Sequence, residues 1–161
     1  MSVSQYKQSV LIFCTAILLT GCLVTGTKSE RTLKEDAAQK LGVDINKLVV
    51  DSSGLEWVVR NEGMGERPKK GDGIAAHYTG YLLENGKTFD SSYKRGRPFV
   101  TPIGVGKVIK GWDIAFLDMR PGEKRVLFIP PDLAYGERGA GKKIPPDAVL
   151  VFDVELVRVI K

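Results

Sequence analysis

The sequence predicts an α+β protein in which one antiparallel sheet curls around a single short helix. The 161 residues include 18 glycines, which implies many turns and therefore a sheet-rich fold. In the segment 148–160, Phe152, Val154 and Leu156 alternate with acidic residues, as expected for a half-buried strand. In the segment 109–119, apolar residues gather on one wide helical face, against which a sheet can fold.

The composition excludes several classes of function. Lys and Arg outnumber Asp and Glu by 24 to 19, and these basic residues are scattered among acidic ones instead of forming a nucleic-acid patch. His77 is the only histidine; it lies in a predicted strand without a nucleophile motif, so we interpret it as structural. Cys14 and Cys22 provide neither a disulfide framework nor zinc-ligand spacing. We expect no metal, no cofactor and no nucleic-acid partner.

The first 21 residues have the layout of a signal peptide. Lys7 precedes an apolar run at 10–20 that is too short for a stable membrane anchor, and the first acid is Glu30. The tetrapeptide LTGC, which ends at Cys22, resembles a bacterial lipobox, in which the cysteine is acylated and becomes the first mature residue. We therefore expect a lipid-anchored protein of the bacterial envelope, with its domain in the periplasm or at the cell surface. Leu23 favours the outer membrane by resemblance to enterobacterial sorting; an ordinary cleaved signal and an uncleaved short anchor are the alternatives.

Residues 22–53 are predicted to form a lipidated tether and a short helical linker. Ser29 can cap a helix over 29–48, and Gly42 can end it. Apolar residues recur at every fourth position, at Leu33, Ala37 and Leu41. This segment is either an amphipathic helix, packed on the domain or on a neighbour, or a partly ordered spacer, because short helices are marginal alone. Its shortness favours a monomer.

Beyond residue 53 the sequence alternates between strands and turns that contain glycine. The predicted strands span 55–60, 73–83, 87–91, 97–101, 123–129 and 148–160. Asn85 and Gly86 predict a two-residue type I′ turn between the second and third strands, since both residue types readily adopt positive φ. Pro121 and Gly122 form the turn before the fifth strand, and 130–146 is predicted to be a long loop rich in glycine and proline.

The third strand ends in FDSS, where a carboxylate directly follows a bulky apolar ring. One interpretation is a strand end and a turn, in which Asp90 accepts hydrogen bonds from backbone N–H groups. The other interpretation is that Asp90 lies at the rim of an apolar pocket, placed there by Phe89. These four residues alone leave both interpretations open.

Six motifs together resemble the FKBP family of macrolide-binding peptidyl-prolyl isomerases. The motifs are HYTG at 77–80, FDSS at 89–92, VIKGW at 108–112, AYG at 134–136, IPP at 144–146 and LVFDVEL at 150–156. They occur in family order with near-family spacing, so residues 54–161 are expected to be the isomerase domain. The family fold is a five- to six-stranded antiparallel half-barrel wrapped around one short helix, which agrees with the elements above.

The resemblance implies an apolar pocket between the helix and the sheet, with Trp112 as its floor. The residues expected to bind substrate are Tyr78, Phe89, Phe99, Val108, Trp112 and Phe152. Catalytic roles are implied for Tyr135 and Ile109, whose hydroxyl and backbone N–H would hold peptide carbonyls. Asp90 would act electrostatically, hydrogen-bonded to Tyr78, or would only order the pocket loops. Taken singly, each aromatic residue would more often be an ordinary core residue.

The implied activity is cis-trans isomerisation of X–Pro bonds in exported or envelope proteins, by desolvation and twisting of the amide. It requires no nucleophile, metal or cofactor, and its partners are proline-containing polypeptides, with macrolides as candidate inhibitors. The alternative is a membrane-anchored module that binds proline peptides with little turnover. Thr101 stands where many relatives have a second pocket aromatic, and Lys143 where a hydrophobic residue is common. Peptide preference and macrolide affinity are therefore not carried over.

Overall fold

The computed structural model describes residues 28–161, so the predicted signal peptide, Cys22 and the tether up to residue 27 lie outside the described residues. The described chain opens with helix α1 (Glu30–Lys40). Ser29 caps this helix, because its hydroxyl accepts a hydrogen bond from the Thr32 N–H at 3.2 Å. The helix ends at Lys40, and Gly42, the residue expected to end it, adopts a left-handed φ of 67° that turns the chain, so residues 41–48 do not continue the helix.

The sheet formed by the described residues has seven strands, and every pair of neighbours is antiparallel. They are β1 (Val49–Val50), β2 (Glu56–Asn61), β3 (Gly73–Leu82), β4 (Thr88–Ser91), β5 (Phe99–Pro102), β6 (Lys124–Ile129) and β7 (Leu150–Ile160). Their order is β1-β2-β6-β7-β3-β4, with β5 also paired to β3. The predicted α+β class is confirmed. The count of five to six strands is too low, because the two-residue β1 is too short to show any period.

The hairpin between β3 and β4 is present, but the predicted two-residue type I′ turn is wrong. Such a turn needs positive φ at both central residues. Gly86 has a φ of 67°, whereas Asn85 is not among the residues of positive φ. The loop is longer: the Gly86 N–H donates to the Leu82 carbonyl at 2.8 Å, and the Asn85 side chain accepts from the Lys87 N–H at 2.9 Å. Asn85 therefore orders the loop through its side chain.

The two faces of the sheet are covered by different helices. Helix α2 (Lys110–Asp118) packs through Trp112 and Phe116 on the face that carries Leu127 and Phe152. Helix α1 packs through Ala38 on the opposite face. The residues buried beneath α1 are Leu83, Val126, Phe128 and Val151. Neither helix, nor any other helix within residues 28–161, has the length and apolar content needed to cross a bilayer.

Candidate active site

A cavity of about 220 Å³ opens between α2 and the sheet. All nine site residues predicted within the described part of the chain lie around it. They are Tyr78, Phe89, Asp90, Phe99, Val108, Ile109, Trp112, Tyr135 and Phe152. Lys107 completes the lining and was not predicted. The clefts beside α1 are larger, up to about 430 Å³, but charged and polar side chains dominate the lining of the largest.

Trp112 forms the floor of this cavity and is 4% exposed. Its ring meets those of Tyr78 and Phe152 edge to face, with centroids 4.9 and 5.3 Å apart and interplanar angles of 82° and 74°. Phe99 approaches the indole at 6.0 Å. Aromatic pairs favour this geometry, so the floor is held in one arrangement. The buried indole N–H has no hydrogen-bond partner within residues 28–161.

The wall formed by Phe89 depends on a glycine in the neighbouring strand. A Cβ atom at Gly80 would lie 2.5 Å from Cζ of Phe89 and 2.9 Å from Cε1 of Phe152. Both distances are far below van der Waals contact, which for carbon atoms begins near 3.5 Å. The absent side chain lets Phe89 and Phe152 meet edge to face at 5.4 Å. The glycine of the HYTG motif therefore makes room for the pocket wall.

The segment that carries Val108 and Ile109 is fixed to the first turn of α2 by one carboxylate. Asp113 accepts hydrogen bonds from the N–H groups of Gly104 and Gly106, at 2.7 and 2.8 Å. An acidic residue is also favourable at a helix N-terminus. Ile109 is the N-cap residue of α2, and its own N–H donates no hydrogen bond within residues 28–161. This N–H is available to a ligand.

Asp90 closes a small polar network at the rim. Its carboxylate accepts from the Tyr78 hydroxyl, as expected, from the Ser91 N–H at 2.8 Å and from the Arg95 guanidinium at 2.6 Å. Arg95 also donates to the Tyr78 oxygen at 2.7 Å and lies over the Tyr78 ring. Both interpretations of FDSS therefore hold, because Asp90 orders backbone and lines the cavity. Arg95 was missed, since only the turn at Tyr93–Arg95 brings it back to Asp90.

The comparisons with known proteins agree on one family. A family model described as FKBP-type peptidyl-prolyl cis-trans isomerase matches residues 65–157. The chain belongs to this family. Its domain is therefore an FKBP domain, and its activity is peptidyl-prolyl cis-trans isomerisation.

Relatives and solved structures agree with this assignment. "Peptidyl-prolyl cis-trans isomerase FPR2" of Saccharomyces cerevisiae is 62% identical over 55% of this chain and 66% of that protein. "FK506-binding protein" of Neisseria meningitidis is 54% identical over 61% of this chain and 89% of that protein. The crystal structure of AtFKBP13 is 51% identical and superposes with a TM-score of 0.66, over 69% of this chain and 97% of that one. Among the first five curated relatives, the match spans between 57% and 78% of the relative.

The ionisation of the rim follows from its contacts. Burial opposes ionisation of Asp90, but hydrogen bonds from Tyr78 and Arg95 outweigh it and lower the pKa of this carboxyl. Burial, with the Asp90 carboxylate as the next cause, raises the pKa of Tyr78. The pKa of Tyr135 is raised by burial and then by the charge of Asp90. At neutral pH the FKBP domain therefore presents an ionised Asp90 and a protonated Tyr135.

The mouth of the cavity combines a free phenol with basic side chains. Tyr135 is 41% exposed, and its hydroxyl makes no hydrogen bond within the described residues, so it can donate to a ligand. Lys143, on the loop after β6, donates to the Phe89 carbonyl at 3.2 Å. Lys107 lines the opening just before Val108. Sequence reasoning missed Lys107, although its place beside the VIKGW motif was a usable signal.

The two remaining residues singled out from sequence lie outside the lining. Thr101 is buried in β5, where its hydroxyl donates to the Pro102 carbonyl, and it does not line the cavity. His77 stacks on Tyr93 at 4.6 Å, and its Nδ1 lies 2.9 Å from Oγ of Ser92. The same Ser92 hydroxyl accepts from the Tyr78 N–H, so the structure agrees with a structural role for His77.

Proposed function

We propose that this FKBP domain is held at a bacterial envelope by a lipid on Cys22 and accelerates X–Pro rotation in exported or envelope proteins. The location is supported by the signal-peptide layout of residues 1–21 and by the LTGC tetrapeptide. Acyl chains on a cysteine partition into a bilayer by about 0.8 kcal/mol per methylene, and two or more chains give stable anchoring. The outer membrane is favoured by Leu23.

The chemistry that the site must supply is rotation about a partial double bond. The barrier is about 18–20 kcal/mol, although the trans form of an X–Pro bond is favoured by only about 0.5–1 kcal/mol. A twisted amide loses resonance and therefore carries less charge on its oxygen. Water stabilises the planar amide more than the twisted one, so transfer to a dry pocket favours twisting. A barrier lowered by about 6 kcal/mol accelerates rotation on the order of 10⁴-fold.

We assign the apolar lining to the proline ring. Phe89, Phe99, Val108 and Phe152 would enclose the ring above Trp112 and exclude water from the amide. The observation that carries this assignment is the cavity of about 220 Å³, because its edge-to-face aromatic walls are held rigidly before any ligand arrives. Because the side chains of such a pocket are already ordered, they lose little conformational entropy when a ligand binds.

We assign the two free donors to the peptide carbonyls. The Ile109 N–H and the Tyr135 hydroxyl make no hydrogen bonds within residues 28–161, and both border the cavity. Holding carbonyls on either side of the proline would fix the ends of the peptide while the bond between them turns. Burial keeps Tyr135 protonated at neutral pH, as this role requires.

We assign Asp90 an electrostatic role on the rotating amide, without proton transfer. Its lowered pKa keeps the carboxyl ionised, which is unsuited to a general acid at neutral pH. Tyr78 and Arg95 would hold the carboxylate in place, because each contacts it and they contact each other. The charge is thus fixed in position before the substrate binds.

The anchoring is tested by expressing the full chain in a bacterium and fractionating the cells. The expected result is a membrane-bound protein whose mature mass starts at Cys22 and includes acyl chains, whereas Cys22→Ser is released or keeps its signal peptide. The matched control Cys14→Ser should remain acylated and membrane-bound. An unacylated wild-type protein in the soluble fraction would contradict the anchor and leave the isomerase activity untouched.

A further inference from the structure

Two lysines stand at the mouth of the pocket without carboxylate partners. Lys107 lines the cavity, and Lys143 reaches the carbonyl of Phe89, which is itself part of the wall. Both residues are exposed. Neither lysine forms a salt bridge within residues 28–161.

Acidic side chains do not balance these charges. Among residues 28–161, Asp90 is the only carboxylate that lines the cavity, and it is already paired with Arg95. On the loop 136–143, the single acid Glu137 is outnumbered by Arg138, Lys142 and Lys143. The opening of the pocket therefore has a surplus of positive charge, because the Asp90 carboxylate pairs with Arg95 and not with either lysine.

We propose that the FKBP domain prefers X–Pro sites with an acidic side chain next to the proline, and that Lys107 and Lys143 determine this preference. The proposal rests on the isomerase activity above and names the substrate class of that same site. The proline ring would fill the apolar cavity, so the flanking side chains of the peptide would emerge at its mouth. A glutamate or aspartate there lies within reach of a lysine amine on its flexible stem.

The size of the preference follows from the exposure of both lysines. A unit charge pair at about 4 Å in water gains about 1 kcal/mol, and exposed pairs lose part of this to side-chain entropy. We expect an acidic peptide to be turned over about threefold to tenfold faster than its neutral isostere. Salt should weaken the preference, because the Debye length falls from about 10 Å at 0.1 M to about 3 Å at 1 M.

The test uses the full chain in a non-ionic detergent and a set of otherwise identical proline peptides. Glu, Gln or Lys is placed directly before the proline in one series and directly after it in another. Catalysed exchange is measured by NMR at equal concentrations, which needs no coupling protease. The expected order is Glu faster than Gln and Gln faster than Lys in at least one series, converging at about 1 M salt.

Variants then assign the preference to the lysines. Lys107→Gln combined with Lys143→Gln should bring the Glu-to-Gln rate ratio close to one, and the corresponding pair of Glu substitutions should invert it. The matched control is Lys40→Gln combined with Lys47→Gln, which removes the same number of charges from the end of α1 and the turn after it, on the opposite side of the sheet from the pocket. It should keep the wild-type ratio.

The possible failures are distinguishable. Turnover of the Gln peptide reports the isomerase itself, so its absence from folded protein would overturn the activity and with it this preference. Normal Gln turnover with a wild-type ratio of one would overturn the preference alone. A third result is a wild-type Glu-to-Gln rate ratio of one together with vesicle binding: the protein binds phosphatidylglycerol vesicles, and the lysine variants lose this binding. The two lysines would then contact a membrane surface, and the proposal would fail. The Glu-to-Gln rate ratio of the wild-type protein and its dependence on salt test the preference even if a variant is unstable.

Discussion

Replacing Asp90 by asparagine removes the charge of the side chain and keeps nearly the same volume. The carboxylate accepts three hydrogen bonds, from Tyr78, Ser91 and Arg95. Asparagine keeps one acceptor oxygen and turns an amide NH₂ towards a neighbouring donor. The side chains of Asp90 and Arg95 are 44% and 41% exposed, so the ion pair contributes only about 0.5–1 kcal/mol. With one half-buried hydrogen bond lost as well, we expect the free energy of unfolding to fall by about 1–2 kcal/mol.

Turnover should fall further than this loss of stability explains. If the charge stabilises the twisted amide by about 1.4–2.8 kcal/mol, kcat/KM for a neutral proline peptide falls about 10- to 100-fold in Asp90→Asn. Asp90→Ala should lower it at least as much. The measurements are exchange NMR for turnover and urea unfolding for stability, at a temperature where every variant is folded.

Asp118→Asn is the matched control. Asp118 is similarly exposed, at 48%, and pairs with Arg67 and Arg125 at the far end of α2. This variant should lose a comparable amount of stability and keep its kcat/KM. Wild-type turnover in folded Asp90→Asn would refute the electrostatic role and leave Asp90 as a residue that only orders the loops.

Three further predictions concern pH, packing and the first helix. The pKa of Asp90 is lowered by folding, so the stability that its carboxylate contributes is complete above the unfolded pKa of about 3.9 and is lost as the pH falls through the folded pKa. Turnover should therefore not change between about pH 5 and 8. An NMR titration midpoint of Asp90 above about 3.9 would contradict the lowered pKa. Gly80→Ala should lower the free energy of unfolding, measured in urea, by about 1–3 kcal/mol and should lower kcat/KM, because the new Cβ displaces Phe89. Unchanged stability and kcat/KM would show that Phe89 can move without loss. Deleting residues 28–48 should lower the free energy of unfolding by about 2–4 kcal/mol, because it uncovers Phe128, Val126 and Val151. If residues 49–161 alone were equally stable, α1 would be dispensable.

Much of the fold and of the pocket could be predicted from local sequence. The period of two in β7 and the apolar face of α2 identified the two layers that enclose the cavity. The motif residues were recognisable because each sits at a fixed place on these elements, and Gly80 shows why the spacing is strict. If the spacing changed by one residue, a residue with a side chain would take the place of Gly80 and clash with Phe89.

The residues that were missed act through side-chain contacts with nearby turns and loops. Asp113 holds a preceding loop, and Arg95 returns to Asp90 through a short turn, so neither has a periodic signal. The position of α1 was left open for the same reason. A usable signal did exist in β6, where the uninterrupted apolar run at 126–129 indicates a strand covered on both faces. The turn after β3 was predicted wrongly, because Asn85 uses its side chain where a positive φ was expected.

The measurement that tests the central claim most directly is the exchange rate of a neutral X–Pro peptide with residues 23–161 of this chain. The account predicts fast catalysed isomerisation, which a macrolide that fills the cavity over Trp112 abolishes. A natively folded protein, verified by its NMR spectrum, that leaves the uncatalysed rate unchanged would contradict the account. The proline pocket would then serve binding without turnover.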